Sequence, residues 1–520
     1  MSLGAIQIQS IVDATKTPTL EQVRVIEAPR RPLLVVAGAG SGKTETMSMR
    51  VLWLLANHAD LTPSSILGLT FTRKAAGELG DRLRERIRLL SREMPQMRER
   101  LDEDPVALTY NSFAERIVSE HGMRIGIDPD FSMLSEAGAL DMMTQIVETW
   151  PTDLDEELRP IDSVPQVLHL AGELAEHGFT VERGREALEE LGRELSQVGD
   201  TNTEARNLLR ANRRRLAFLG PIATYQQRKR EMGVLDFSDQ LVLATRIVRE
   251  APAVRAALRE EFRAVLLDEF QDTSVIQMDL LSMIFADHAV TAVGDPNQAI
   301  YGWRGASASS LESFLDRFQT GVPDEGQTLT LSTAWRNDVS ILDAANRVAA
   351  PLREVASYQQ GKDALKAQSP VLVPRKGAGQ GTVEIAYTQV YEDALAATVD
   401  FVKRVRSQAT KEGKRRTVAV LSRRRKDFPF IDAALREAGI PTEIVGLGGL
   451  LDQPAVQDVR AALELAYDVA ASPWLARLLA GIDLGATDLI ALGDRARALA
   501  REEGASPHQA VLLDAVDNPP

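Results

Sequence analysis

The chain has 520 residues, 44% of them hydrophobic and 26% charged, with a formal net charge of −14, no cysteine and six histidines. Without cysteine, disulfides, thiolate metal sites and cysteine nucleophiles are excluded, and the scattered histidines form no ligand cluster. The net negative charge excludes a uniformly basic coat for nucleic acid, so any DNA site has to be a local groove. No apolar run approaches ~18 residues and no basic-then-apolar leader opens the chain, so the reading is no membrane span, no secretory signal and a cytoplasmic location. At roughly 150 residues per domain, three or four domains are expected.

In chain order, residues 32–36 are an apolar run closing on a Gly-rich turn, and residues 45–55 recur with helical spacing: strand, loop, helix. Short apolar runs at residues 66–71, 265–267 and 290–293 read as buried parallel strands, each leading into a polar turn and then helix-like sequence. Between about Thr109 and Tyr225 come long charged stretches, few β-branched runs, and caps such as Ser135 before an alanine-rich segment, which predict an inserted helical domain. From about Thr328 a second alternation begins, with strands expected at 382–387, 417–421 and 442–445 and a helix at 428–438. Residues 369–381 read as a surface loop.

Ala37-Gly38-Ala39-Gly40-Ser41-Gly42-Lys43-Thr44 fits the P-loop form, with Ala at its first position. Small residues let backbone N–H groups turn onto phosphate oxygens, and the following helix N-terminus adds a favourable dipole. Lys43 is then the group that reaches the β- and γ-phosphates, and Thr44 a ligand of Mg2+. The run ending in Leu266-Leu267-Asp268-Glu269 puts two acids at a strand's C-terminal end, where open α/β sheets collect ligands. Asp268 is the candidate Mg2+ ligand, and Glu269 the candidate base that orients and deprotonates the attacking water. Together these motifs point to Mg2+-assisted nucleotide hydrolysis rather than nucleotide binding without turnover.

The stretch Asp268-Glu269-Phe270-Gln271-Asp272-Thr273, followed by Gly294-Asp295-Pro296-Asn297-Gln298-Ala299-Ile300-Tyr301-Gly302-Trp303-Arg304-Gly305-Ala306, closely resembles the second and third motifs of the UvrD, Rep and PcrA helicases of superfamily 1. Leu69-Thr70-Phe71-Thr72-Arg73-Lys74-Ala75-Ala76 is similar to the family's Ia motif, Leu20-Glu21-Gln22 to its Q motif, and Trp335-Arg336-Asn337 to its fourth motif. The resemblance implies an α/β fold of two RecA-like P-loop motor domains, the second incomplete. Residues 1–108 and 226–327 would form the first, 109–225 a helical insertion, 328–450 the second, and 451–520 the start of another helical insertion. It implies that Gln22 reads adenine, Gln298 senses the γ-phosphate, Trp335 stacks on the base and Arg336 is the arginine finger. Phe71, Tyr301 and Trp303 become candidate stacking platforms for DNA bases, with Arg304 and Lys74 near backbone phosphates. For Phe71, at the end of an apolar strand, a core position is an equal alternative. Asn111 stands where the family often has His in its Ib motif, Arg73 replaces a usual Asn, and Glu45 follows Thr44 where Arg is common. The basic runs Arg213-Arg214-Arg215 and Arg423-Arg424-Arg425-Lys426 are either phosphate contacts or solvated faces.

A narrower resemblance, carried by residues 69–76, 107–115, 235–237 and 290–306 and the Trp335 form of the fourth motif, is to AdnB-type subunits of actinobacterial helicase-nucleases. It implies a second helicase-nuclease subunit and a role in double-strand-break repair, while the wider family resemblance implies ATP-driven 3′ to 5′ movement of the parent protein, with single-stranded DNA and duplex junctions as partners. The family's fifth and sixth motifs and the nuclease do not appear, so the sequence is expected to be a fragment ending in the second helical insertion, with weak turnover. Two other readings stay open: an ATP-switched DNA-binding regulatory subunit, and a P-loop enzyme with no DNA partner.

Overall fold

Five consecutive buried residues, Leu33–Ala37, form β1, and their alternation decides where they pack. Leu34 and Val36 enter one hydrophobic core, while Leu33, Val35 and Ala37 enter a second on the opposite face. A strand buried on both faces reads as a continuous apolar run, which is why the sequence announces it. Each fully buried Leu or Val contributes about 1.5–3 kcal/mol. In the computed structural model the described residues are 3–127, 131–154, 160–197, 203–302, 306, 310–321, 327–358, 368–408, 413, 415–445, 454–467, 469, 471–482, 484–502 and 510–519. Two units divide at Val383 and Glu384.

In the first unit the strands are β1, β2 (Ile66–Thr70), β3 (Val106–Thr109), β4 (Ser132–Met133), β5 (Val234–Leu235), β6 (Ala264–Leu267), β7 (Val290–Gly294), β8 (Gln327–Leu331), β9 (Thr333–Ala334) and β10 (Val373–Pro374). Six of them make one parallel sheet in the order β3-β2-β6-β7-β1-β8. Its helices include α1 (Ala5–Val12), α2 (Leu20–Ile26), α3 (Lys43–Asn57), α4 (Arg73–Glu93) and α5 (Tyr110–His121). Parallel strands need long crossovers, which α3 supplies between β1 and β2 and α4 between β2 and β3. The strands expected at 32–36, 66–71, 265–267 and 290–293 are β1, β2, β6 and β7.

Residues 134–234 build a separate helical cluster from α6 (Glu136–Glu148), α7 (Pro160–Glu176), α8 (Val181–Gln197) and α9 (Thr203–Met232), around Met143, Val167, Phe218 and Ile222. Ser135 caps α6 by accepting the Gly138 N–H, as its position in the sequence suggested. The chain returns through α10 (Phe237–Glu250), α11 (Pro252–Glu261), α12 (Val275–Phe285), α13 (Phe314–Phe318) and α14 (Val339–Tyr358). Where α9 meets α10, buried Lys229 bonds Asp236 at 2.5 Å and Asp239 at 2.6 Å, fastening the helical cluster to the sheet domain.

Three expectations are corrected. Helix α5, expected inside the helical insertion, packs Phe113 and Ile117 into the core beneath the main sheet. Strand β8, read as the opening of a second α/β domain, pairs in parallel with β1 and edges the first sheet. In the second unit, α15 (Tyr391–Ser407) and α16 (Phe428–Glu437) form as helices around Val402, Leu435 and Ile440. The runs 382–387, 417–421 and 442–445, however, are extended or turned backbone with no strand assigned. No helix among the described residues is long and apolar enough to cross a membrane.

Candidate nucleotide and DNA site

The phosphate loop leaves the C-terminal end of β1, at the edge of an open parallel sheet where ligands collect. Gly40 and Gly42 have φ of +73° and +82°, a left-handed conformation that side-chain-bearing residues resist. Gly42 is the N-cap of α3, so the helix begins at Lys43 with its free N–H groups facing the loop. At Gly38 the approach is close for a different reason: a Cβ there would lie 2.1 Å from Leu372 Cδ2, so that side chain would have to shift.

Opposite the loop, β6 delivers Asp268 and Glu269. Asp268 is buried, its N–H donates to Leu69 O at 2.9 Å, and its Oδ1 accepts the Glu269 N–H at 3.0 Å. Burial, then the neighbouring Glu269 charge, pushes its carboxyl up to about 6, with Lys43 pulling the other way. Glu269 is held at φ +49°, one of two non-glycine residues with positive φ among the described residues, and strain of this kind gathers at functional sites. Lys43 Nζ donates to Glu269 Oε2 at 2.7 Å, so the two groups neutralise each other across the cleft.

Thr44, Asp268, Glu269 and Gln298 line one cavity of about 360 Å³, with Phe71 and Tyr301 at another wall. A threonine hydroxyl and a single carboxylate are the hard oxygen donors that Mg2+ takes when phosphate and water complete its shell.

Three further residues shape the site. Gln271 donates to Glu269 Oε2 at 2.9 Å and accepts the Asp295 N–H at 3.1 Å, interlocking the loops after β6 and β7. Buried Asp295 accepts Gln298 Nε2 at 2.6 Å and the Ser369 hydroxyl at 2.9 Å, fixing Gln298 in the cavity. Arg82, from the third turn of α4, lines the same cavity and opposes the rise of Asp268. Gln271 and Asp295 lie inside the motifs quoted above, so their spacing could have flagged them. Arg82 carried no such signal, because the packing of α4 against α3, β2 and β3 brings it there.

Gln22 is buried at the N-terminus of α2, where Thr19 and Gln22 cap each other, and its Nε2 donates to Thr46 Oγ1 at 3.3 Å. A Cβ on Gly42 would stand 3.1 Å from Gln22 Nε2 and 3.7 Å from Trp335 Cδ1, so these two side chains flank the loop. The Trp335 N–H donates to Gly40 O at 2.8 Å, and the Arg336 Cβ would lie 3.0 Å from a Cβ on Gly40. Gln22, Trp335 and Arg336, separated by more than 300 positions in the sequence, thus converge on Ala37–Thr44.

Phe71 is half-buried rather than a core residue and stacks on Tyr301, ring centroids 4.3 Å apart and planes 29° from parallel. It also borders a second cavity, of about 650 Å³, together with Arg73 and Asn111. Asn111 Oδ1 accepts Gln277 Nε2 at 3.2 Å, and exposed Lys74 lies 3.9 Å from Glu78. Trp303 and Arg304 fall outside the described residues.

The UvrD/REP helicase N-terminal domain profile matches residues 19–319, more than half of the chain. DNA helicase II of Escherichia coli K12 is 26% identical over 448 residues, 86% of this chain and 54% of the relative. DNA helicase II of Salmonella typhimurium is 28% identical over 327 residues, 63% of this chain and 39% of the relative. The ATP-dependent DNA helicase PcrA of Staphylococcus aureus is 25% identical over 452 residues, 86% and 53% of the two chains. The chain spans about half the length of the curated relatives it matches. With the phosphate loop, the paired acids and the interlocked third motif in one cleft of the matched region, the chain belongs to the UvrD/REP helicase family.

Proposed function

We propose that this chain is the ATP-hydrolysing motor part of a superfamily 1 DNA helicase. The observation that carries the reading is the Lys43–Glu269 pair, whose Glu269 lines one cavity with Thr44, Asp268, Gln298 and the stacked Phe71 and Tyr301. A triphosphate on the loop N–H groups is a stronger partner for Lys43 than a carboxylate is. Lys43 then turns from Glu269, whose freed carboxylate can orient a water and take its proton. Thr44 and Asp268 would hold Mg2+, which supplies charge neutralisation on the phosphate oxygens. Gln298, restrained by Asp295, faces the terminal phosphate, Arg336 adds positive charge to the transferring group, and Gln22 and Trp335 contact the base.

The DNA side of the proposal rests on Phe71 and Tyr301. A base entering between them replaces one aromatic contact by two, a sequence-tolerant gain of about 1–3 kcal/mol. Asn111, which borders a cavity together with Phe71, and exposed Lys74 at the start of α4 are the backbone contacts in this reading. Movement 3′ to 5′ is supported by the resemblance to the UvrD, Rep and PcrA helicases, and a role in double-strand-break repair and pairing with a second helicase-nuclease subunit by the resemblance of residues 69–76, 107–115, 235–237, 290–306 and Trp335 to AdnB-type subunits.

Steady-state hydrolysis with and without single-stranded DNA tests the proposal, on the wild-type chain and Glu269→Gln. Stimulation by DNA is expected, with turnover in Glu269→Gln lower by about 100-fold or more, the usual loss on removing a general base. Hydrolysis indifferent to DNA, or undiminished in Glu269→Gln, contradicts it.

A further inference from the structure

Glu21 has no role in the account above, yet its carboxylate makes a two-pronged contact with a residue 311 positions away. Oε2 accepts the Ser332 N–H at 2.8 Å and Oε1 accepts the Ser332 hydroxyl at 2.7 Å. Ser332 lies between β8 and β9, on the crossover that carries Trp335 and Arg336. That crossover meets the phosphate loop at two further points, Gly38 N–H to Leu331 O at 3.1 Å and Trp335 N–H to Gly40 O at 2.8 Å. Both of those are neutral backbone bonds, whereas the Glu21 contact has an ionised acceptor and is the stronger kind. Glu21 also sits in the first turn of α2, where the helix dipole favours a negative charge, directly before Gln22.

We propose that Glu21 is a positioning residue, whose carboxylate sets Trp335 over the phosphate loop and so ties the base-reading helix to the arm that closes on the nucleotide. The inference rests on the nucleotide-site reading above. Without the carboxylate the Ser332 N–H loses its acceptor, and the crossover keeps its two backbone bonds to the phosphate loop and those from β10, Val373 N–H to Ser332 O at 3.0 Å and Arg375 N–H to Ala334 O at 3.2 Å. Trp335 then drifts from Gly42 and the base loses one of its walls. The phosphate contacts stay, because neither Lys43 nor the loop N–H groups touch Glu21.

The test compares binding of Mg2+-ATPγS and of Mg2+-tripolyphosphate, which lacks a base, by the wild-type chain, Glu21→Ala and Glu21→Gln. Trp335 emission, isolated by subtracting a Trp335→Phe background, is the second readout. Glu21→Ala is expected to weaken ATPγS by about tenfold, the loss of a charge-assisted bond, and to leave tripolyphosphate within about twofold. Its Trp335 emission should shift to the red. Glu21→Gln should recover most of the loss, since its amide oxygen still accepts the Ser332 N–H. Unchanged ATPγS affinity in Glu21→Ala, or an equal loss for both ligands at an unchanged melting temperature, overturns the positioning role alone. ATPγS binding that survives Lys43→Ala overturns the nucleotide-site reading and this inference with it.

Discussion

Strands β1, β2, β6 and β7 and the segments 382–387 and 417–421 draw on the same apolar and β-branched residues, yet they end in different states. The first set is sealed in a six-stranded ladder, with all five residues of β1 at 1% exposure or less. In the second set Ile385, Tyr387 and Leu421 are 91%, 97% and 93% exposed, on backbone with no strand assigned. An apolar alternating run states a capacity to pack on a pleated surface, and the neighbouring strand decides whether that capacity is used. Strand β1 finds its neighbours in β7 and β8, more than 250 residues along the chain.

The largest expected effect is in amide exchange. Inner-strand amides of β1 should open only with the domain, whereas those of 417–421 have no ladder to break, so their rates should differ by about four orders of magnitude or more. Similar protection in both would break the comparison. Next comes a matched pair of substitutions. Leu266→Ser, at a position 1% exposed, should cost about 3–5 kcal/mol in denaturant unfolding, while Leu421→Ser should stay within about 0.5 kcal/mol. Equal losses would mean that 417–421 is packed in solution.

The smallest effect sharpens the contrast between acids. The Asp268 carboxyl, at about 6 in the fold, lies above its ordinary value of about 4, so the folded protein keeps a proton there that the unfolded chain has released. Stability therefore falls as pH rises between those values, and the full cost is present above about 6. Asp268→Asn should raise stability at pH 8 by roughly 1–3 kcal/mol and lose that advantage near pH 4, read from unfolding curves at the two pH values. Asp432, in the second unit, is held below the ordinary range by the Thr442 hydroxyl and Arg436, so Asp432→Asn should bring no gain at pH 8. A gain from Asp432→Asn, or none from Asp268→Asn, would contradict the account.

The buried strands and the phosphate loop were legible because each is specified within about eight residues: apolar on both faces, then small residues, then Lys43 and Thr44. The half-buried β3 and the edge strand β8, with two exposed threonines, lack that pattern, and only pairing with β2 and β1 makes them strands. Motif spacing located Asp268, Glu269 and Gln298 but not their electrostatics, which depend on a lysine 226 positions from Glu269. Arg50 was invisible for the same reason. Its fully buried guanidinium donates to the carbonyls of Val25, Ile26, Ala28 and Pro29 and to Thr291 Oγ1, locking the end of α2 to α3 and β7. Burial pulls it down to about 10, and no local pattern distinguishes it from a surface arginine.

The central claim is that one cleft links nucleotide to DNA, and binding linkage tests it most directly. Affinity for a fluorescent single-stranded oligonucleotide should be measured with and without saturating Mg2+-ATPγS, on the wild-type chain and Lys43→Ala, at fixed low salt. Coupled sites require the nucleotide to change DNA affinity, typically by about 5–150-fold, and Lys43→Ala to abolish that change. DNA affinity indifferent to nucleotide in the wild-type chain, or no DNA binding at all, would contradict the claim.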